Sequence, residues 1–265
     1  IRFLLSFLGG IFTLVTMGLF AVAMSIGAVF YIYGRDLPSH ESLSQYTPPT
    51  ISRMYSSEGQ IIDEFAQERR LFTPADEIPP LVKYAFISAE DKNFYSHHGY
   101  DMRGIASAVI DAVKSRGRDV RGASTITQQV MKNFLLDGSR TAERKIRELI
   151  LAVRIEKAMS KDKILELYLN EIFLGQNSYG VAAAAQTYFN KPLTDLRPAD
   201  AAYLAALAQR PGNLHPVRQQ EDAISRRNYV LRRLSEDGWL PEEQLASEQA
   251  QPLLTVQAGD YESFR

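Results

Sequence analysis

The sequence predicts a mainly α-helical protein with a small β-hairpin and an N-terminal transmembrane helix. Three observations lead to this fold class: a long uncharged apolar run at the N-terminus, a short alternating segment after it, and helical spacing of apolar residues from about residue 78 onward. The 265 residues provide room for one globular domain and a membrane segment, and an apolar content of 45% excludes a disordered chain.

The N-terminal run has no charged residue between Phe3 and Gly34, which is long enough to span a bilayer with some tilt. A cleaved signal peptide is the alternative, but its apolar core is usually shorter and ends in a small-residue cleavage site. We therefore predict an uncleaved transmembrane anchor over residues 1–34. Only Arg2 flanks the run on its N-terminal side, so the positive-inside rule does not set its orientation.

A polar, turn-rich linker is predicted over residues 35–50, followed by a strand-like alternation over 51–65. Glu58 and Gly59 stand in the middle of that alternation and predict a hairpin turn.

Helices are predicted for nearly all of the remaining chain. Proline at helix starts (Pro80, Pro198 and Pro241) and capping residues (Asp101, Thr125 and Ser160) mark their beginnings. After the segment that opens at Pro80, the predicted ranges are about 101–114, 125–135, 140–158, 161–173, 179–188, 198–208, 221–236 and 242–250.

Composition excludes several functions. A formal net charge of -1 gives no global basic field, which argues against a nucleic-acid partner. The absence of cysteine excludes disulfides, thiolate metal sites and a cysteine nucleophile. Four histidines without a His-Glu-x-x-His pattern argue against a zinc hydrolase.

The first candidate cluster runs from Glu90 to Gly99, where two adjacent carboxylates end an apolar helix. Phe94 and Tyr95 follow closely, and apolar surroundings raise the pKa of a carboxylic acid, as a general base or acid near neutral pH requires. The alternative is an ordinary polar helix end with a glycine stop.

The second cluster runs from Gly122 to Asn133. Glycine permits close backbone approach, and a helix that starts at a Ser or Thr cap offers free N–H groups to a phosphate. Thr125, Gln129 and Lys132 form a polar stripe at helical spacing. The preceding basic segment, 114–121, is interpreted as a mobile loop. An ordinary capped amphipathic helix remains an equal alternative.

The third cluster contains Arg144, Lys145 and Glu148 within a basic segment. Residues 140–163 carry eight Lys or Arg against four acids, which suits a pyrophosphate or an anionic bilayer surface. A solvated helix face with a weak ion pair between Arg144 and Glu148 explains the same residues. The later segments 163–170 and 200–208 are interpreted as core packing.

Five ordered motifs in this chain resemble the peptidoglycan glycosyltransferase domain (glycosyltransferase family 51), which is found in class A penicillin-binding proteins and in monofunctional transglycosylases. They are Glu90-Asp91-x-x-Phe94-x-x-His97-x-Gly99; Gly122-x-Ser124-Thr125-Ile126-Thr127-Gln128-Gln129-x-x-Lys132-Asn133; Arg144-Lys145-x-x-Glu148; Lys163 through Glu166-x-Tyr168-Leu169-Asn170; and the Ala- and Leu-rich run before Gln209-Arg210-Pro211.

The resemblance implies a lysozyme-like helical fold and polymerisation of lipid II into β-1,4 glycan. The growing lipid-linked glycan would be the donor, the 4-hydroxyl of incoming lipid II the acceptor, and undecaprenyl pyrophosphate the product of an inverting displacement. It also implies a location at the bacterial cytoplasmic membrane, with the catalytic domain on the periplasmic or outer face. Other cell-wall synthesis proteins are further candidate partners.

The resemblance also implies roles for individual residues. Glu90 would be the general base, and Glu148 would orient the sugars or the departing pyrophosphate. Lys132, Arg144 and Lys145 would offset the charge that develops on the phosphates. The residues expected to shape the site are Asp91, Phe94, His97, Thr125, Gln129 and Asn133. The sequence predicts no metal ligands, although Mg2+ can share the charge at the pyrophosphate.

The resemblance covers about residues 50–235, so we predict the glycosyltransferase domain over 51–235. Residues 236–265 are predicted as a C-terminal helix and the start of a linker to a transpeptidase domain that this sequence does not contain. Phe134, Leu135 and Leu136 are expected either to dip into the bilayer or to lie in the core. The rival functions are a lysozyme-like hydrolase or lytic transglycosylase and an inactive membrane scaffold.

Overall fold

The computed structural model describes residues 2–35, 37, 52–55, 61–65, 69–104, 106–107, 124–135 and 141–256. The prediction of a mainly helical protein is confirmed. The helices are α1 (Arg2–Gly34), α2 (Pro80–Glu90), α3 (Ile126–Leu135), α4 (Ala142–Ala158), α5 (Lys161–Glu171), α6 (Val181–Phe189), α7 (Pro198–Leu207), α8 (Gln220–Glu236) and α9 (Glu242–Ala250), with further helical residues at 102–104 and 106–107.

Helix α1 is long and apolar enough over Gly9–Gly34 to cross a membrane by length and composition. Its C-terminal end is held by the body of the protein, because Arg154 Nη2 donates a hydrogen bond to the carbonyl of Gly34 at 2.8 Å. Arg154 lies on α4, against which α1 packs. The apolar helix predicted at the N-terminus is therefore present and is attached to the rest of the protein at one end.

Several predicted helix starts are confirmed by their caps. The Ser160 side chain accepts a hydrogen bond from the backbone N–H of Lys163, and Thr125 accepts one from Gln128 at 3.2 Å. Each cap satisfies a backbone donor that the first helical turn leaves unpaired. The far end of the helix predicted from Asp101 lies outside the described residues.

The core is centred on α7, in which every residue from Ala199 to Leu207 is buried. Its alanines allow close approach, and α2, α6, α8 and α9 pack around it. Burial of a leucine such as Leu204 stabilises the fold by about 1.5–3 kcal/mol. Helix α3 packs against α4 and α5.

The predicted hairpin is confirmed. Strand β1 (Ser52–Tyr55) pairs antiparallel with β2 (Ile61–Phe65). The turn predicted at Glu58 and Gly59 lies outside the described residues, as do the basic loop at 114–121 and most of the linker at 35–50.

A second pair of strands was not predicted: β3 (Arg69–Arg70) pairs in parallel with β4 (Ser178–Tyr179). Two-residue strands are too short to leave a periodic signal in the sequence.

The segment after α8 packs onto the body. The backbone N–H of Val256 donates to the carbonyl of Tyr188 at 2.8 Å. Arg227 is buried and donates to the carbonyls of Gln249 and Gln251 at 2.8 and 2.7 Å. These contacts fix α9 against α8.

Candidate active site

Glu90 is the last residue of α2, and its partly buried carboxylate faces α3. Gln129, on the first half of α3, donates a hydrogen bond from Nε2 to Glu90 Oε2 at 3.0 Å. Gln129 was predicted to shape the site, and the structure brings it into direct contact with the predicted base.

Burial raises the pKa of Glu90 above its ordinary value, and this effect outweighs the others. The hydrogen bond from Gln129 and the positive charge of Arg226 oppose the rise, while the neighbouring charge of Asp91 adds to it. Glu90 therefore has the environment that the sequence predicted for it, with a proton affinity higher than that of an exposed carboxylate.

A buried network ties the loop after Glu90 to the start of α3. Both carboxylate oxygens of Asp91 lie within 3.0 Å of His97 Nε2, and Oδ2 also accepts from the backbone N–H of Ile126 at 2.9 Å. The hydroxyl of Thr125 donates to the carbonyl of Gly99 at 2.9 Å. This network sets the position of α3, and with it Gln129, relative to Glu90.

Gly99 permits that loop to lie directly on α4. Its φ is +90°, and a Cβ atom there would lie 2.8 Å from the backbone of Ala152. A side chain at this position would thus be excluded both by conformation and by contact.

Glu148 is buried on α4 and lies between two cations. Arg144 Nε is 3.1 Å from Oε1, and Lys145 Nζ is 2.9 Å from Oε2. Lys145 also donates to the side chains of Ser124 and Gln128, at 2.8 and 3.2 Å. The predicted cluster on α4 therefore reaches across to the first turn of α3.

The two acidic residues approach α3 from different sides of the same helical turn. Glu90 contacts Gln129, and Glu148 is linked through Lys145 to Gln128. Successive side chains on a helix point about 100° apart, so the carboxylates flank the first half of α3. Glu90 and Glu148 are thus tied to adjacent residues of α3, Gln129 directly and Gln128 through the half-exposed Lys145.

The remaining predicted residues divide into a buried and an exposed group. The buried group contacts other parts of the protein and supports the site through packing; it consists of Asp91, Phe94, His97 and Thr125. Lys132 and Asn133 are exposed on the second half of α3.

Of the two alternatives predicted for Phe134, a place in the core and insertion into the bilayer, the structure shows packing against the core. Leu136 and the side chain of Leu135 lie outside the described part of the chain.

Two neighbours of Glu90 were not singled out from the sequence as partners of the base. Arg226 comes from α8, and its charge acts on the Glu90 carboxylate. Tyr168 is buried on α5, and burial together with the charges of Glu90 and Asp91 raises the pKa of its hydroxyl well above the ordinary value. No local sequence pattern indicates that an arginine of α8 or a buried tyrosine of α5 lies close to Glu90.

The described residues contain no group of three His, Asp or Glu side chains that could hold a metal ion. The carboxylates at the site are already engaged by Gln129, Arg144 and Lys145. We therefore assign no protein ligand to the divalent cation considered from the sequence.

Comparison with known proteins identifies relatives of this chain. The transglycosylase family model matches residues 58–235. Penicillin-binding protein 1A from Rickettsia felis is 46% identical over 229 residues, which are 84% of this chain and 29% of the relative. Penicillin-binding protein 1A from Neisseria flavescens is 47% identical over 224 residues, 84% of this chain and 28% of the relative. The chain thus spans less than a third of either relative.

Among solved structures, penicillin-binding protein 1A from Haemophilus influenzae is 23% identical, with a TM-score of 0.46 over 80% of this chain and 22% of that chain.

Proposed function

The chain belongs to the transglycosylase family, and from this premise we propose that it is a peptidoglycan glycosyltransferase that polymerises lipid II into β-1,4 glycan. The observation that carries the proposal is the pair of unlike carboxylates on the two flanks of α3. One has a raised pKa and a neutral partner, and the other is paired with two cations.

Glu90 is the general base in this proposal. It takes the proton from the 4-hydroxyl of the acceptor sugar as the oxygen attacks the anomeric carbon of the donor. A base with a raised pKa binds that proton more strongly than an ordinary carboxylate, and general base catalysis contributes roughly 10²–10⁴-fold to the rate. Because attack comes from the face opposite the leaving group, the anomeric configuration is inverted.

The pyrophosphate leaves on the side of α3 that faces Lys145 and Arg144, which both lie on α4. As the bond from the anomeric carbon to the phosphate oxygen breaks, its electrons pass to undecaprenyl pyrophosphate, and the nearby cations stabilise the added charge. Glu148 holds both cations in place while it remains paired. Lys132, exposed further along α3, adds positive charge. Mg2+ would contribute further neutralisation, but no step here depends on it.

Helix α1 supports a location at a membrane. Membership of the transglycosylase family favours the bacterial cytoplasmic membrane, with the catalytic body on its periplasmic or outer face. The contact between Arg154 and the carbonyl of Gly34 holds the body next to the end of the apolar helix. A lipid-linked substrate in the same bilayer would therefore reach the site without leaving the membrane. Cell-wall synthesis proteins are the expected partners.

The proposal is tested by incubating the protein with labelled lipid II and, separately, with finished glycan. We expect longer glycan from lipid II, inhibition by moenomycin, and no cleavage of finished glycan. Cleavage of glycan without polymerisation would instead identify a hydrolase or lytic transglycosylase. Absence of both activities, with a folded protein, would favour an inactive scaffold.

A further inference from the structure

Beside the base, the structure contains a cavity that the proposed chemistry does not use. It has a volume of about 700 Å3 and is bounded by the turn after α7, by α8 and by Gln249 of α9. This volume is within the range of ligand sites in proteins. Arg226 lines this cavity and its charge also acts on Glu90, so one side chain connects the cavity with the surroundings of the proposed base.

The lining has an excess of positive charge: Arg210, Arg226 and Arg232 face a single carboxylate, Asp222. The guanidinium carbons of Arg226 and Arg232 lie 4.4 and 5.6 Å from the ring centre of Tyr229. This stacking holds planar donors on a rigid helix while their edges remain available for hydrogen bonds.

The protein itself engages these donors only weakly. Arg226 Nε is buried and has no hydrogen-bond partner in the described structure. Arg232 forms an exposed ion pair with Glu236 at 3.9 Å, a type that contributes little. Within the described ranges, no ion pair is formed by Arg210. Guanidinium groups in such a setting favour a carboxylate or phosphate, which they bind through two parallel hydrogen bonds.

The position of the cavity indicates whether its ligand is a carboxylate or a phosphate. The pyrophosphate in the proposed function is taken by Lys145 and Arg144, on the flank of α3 that faces Glu148. What lies next to the acceptor sugar at Glu90 is the rest of lipid II, including its peptide. That peptide offers carboxylates to the arginines, an amino group to Asp222, and amides to side chains such as Asn213 and Asn228.

We propose that this cavity binds the carboxylate-bearing stem peptide of acceptor lipid II. The inference rests on the proposed function and adds a substrate-selecting site to it. The acceptor would be held at two points, by its sugar at Glu90 and by its peptide at Arg210 and Arg232.

The test compares lipid II that has free peptide carboxylates with the same lipid II in which these carboxylates are amidated. We expect the unmodified protein to prefer the free acid by about tenfold in kcat/KM, since ionised partners form the stronger hydrogen bonds. Arg210→Gln and Arg232→Gln should each lower kcat/KM for the free acid about three- to tenfold, through KM, with kcat and the amidated substrate unaffected. Arg218→Gln, an exposed arginine outside the cavity, is the matched control.

Three results would overturn the inference. The first is equal use of both substrates by the unmodified protein, and the second is an equal loss of activity with both substrates in the two variants. The third is a loss of binding to phosphatidylglycerol vesicles in the two variants, with no discrimination between the two forms of lipid II. This result would assign the arginines to a lipid-binding surface. Thermal melting of each variant excludes misfolding as the cause. If the unmodified protein polymerises neither form of lipid II, the proposed function fails and this inference fails with it.

Discussion

The two flanks of α3 contain the same chemical group in opposite surroundings. Glu90 ends an apolar helix, and its carboxylate accepts a hydrogen bond from the neutral amide of Gln129 at 3.0 Å. Glu148 is buried in the middle of α4, where Arg144 and Lys145 lie 3.1 and 2.9 Å from its two oxygens. The difference teaches that, in the proposed function, the surroundings of the two glutamates assign their separate roles and the residue type does not.

The comparison has a physical cause. Removing a carboxylate from water favours its neutral form, and at Glu90 this effect exceeds the help from Gln129 and Arg226. At Glu148 the negative charge is instead balanced by the two adjacent cations, which the carboxylate holds in place. A site that must both accept a proton and stabilise a departing anion therefore benefits from having one carboxylate of each kind.

The largest effect is expected from Glu90→Gln, which removes the proton acceptor and keeps the shape. We expect polymerisation of labelled lipid II to fall by roughly 10²–10⁴-fold, the usual contribution of a general base. The matched control is Glu243→Gln, an exposed glutamate at the start of α9. Near-normal glycan output from Glu90→Gln would contradict the assignment of the base.

The same variant should not lose stability. Because the pKa of Glu90 is raised in the folded protein, ionisation of Glu90 opposes folding, so its stability contribution is present at low pH and lost as pH rises through the folded pKa. Glu90→Gln should therefore melt at least as high as the unmodified protein at neutral pH, and this gain should shrink in acid. A lower melting temperature at neutral pH would show that the carboxylate is not destabilised by burial.

A smaller effect is expected on the cationic flank. Lys145→Gln removes one of two cations and leaves Glu148 with Arg144 alone, so we expect kcat to fall by about 10–100-fold through weaker stabilisation of the pyrophosphate. Lys157→Gln, on the exposed part of the same helix, is the control. The measurement is the initial rate of lipid II consumption at saturating substrate. Equal rates for the two variants would show that Lys145 does not stabilise the pyrophosphate.

A still smaller effect, on stability, is expected from Asp91→Ala. The substitution removes the acceptor for Ile126 N–H and the partner of His97, so it should lower the free energy of unfolding by about 1–2 kcal/mol, as loss of a helix cap with its hydrogen bonds does. Denaturant unfolding measures it. An unchanged midpoint would show that the network does not hold α3.

The smallest effect is a change in pH dependence. Activity should decline in acid as Glu90 becomes protonated, at a pH above that of an ordinary carboxyl group. Gln129→Leu removes a hydrogen bond that lowers the pKa of Glu90, so the acid limb of kcat/KM should move to higher pH. The pH profile of both proteins measures the displacement. If the acid limb stays at the same pH or moves to lower pH, Gln129 does not lower the pKa of the catalytic base.

The sequence predicted those features that depend on local chemistry. Ser160 and Thr125 cap helices because a hydroxyl followed by a helical pattern has few other uses. Glu90 ends an apolar helix, and burial raises its pKa in the direction that the apolar sequence around it predicts. The spacing of Arg144, Lys145 and Glu148 places both cations on the face of the glutamate.

Features that depend on distant packing were not available from the sequence. Arg226 reaches Glu90 only because α8 packs on α2, more than a hundred residues earlier in the chain. Its neighbour Arg227 points the other way and is buried against α9. Nothing local distinguishes two adjacent arginines, so neither the effect of Arg226 on the base nor the cavity at Arg210 and Arg232 was predicted from the sequence.

The hydrogen bond from Arg154 to the carbonyl of Gly34 has a mechanical consequence. It closes the last turn of α1 against α4, the helix that also carries Glu148. The contact therefore couples the direction of α1 to that of α4. If α1 lies in a bilayer, as proposed, this coupling would hold Glu148 at a set distance from the membrane surface.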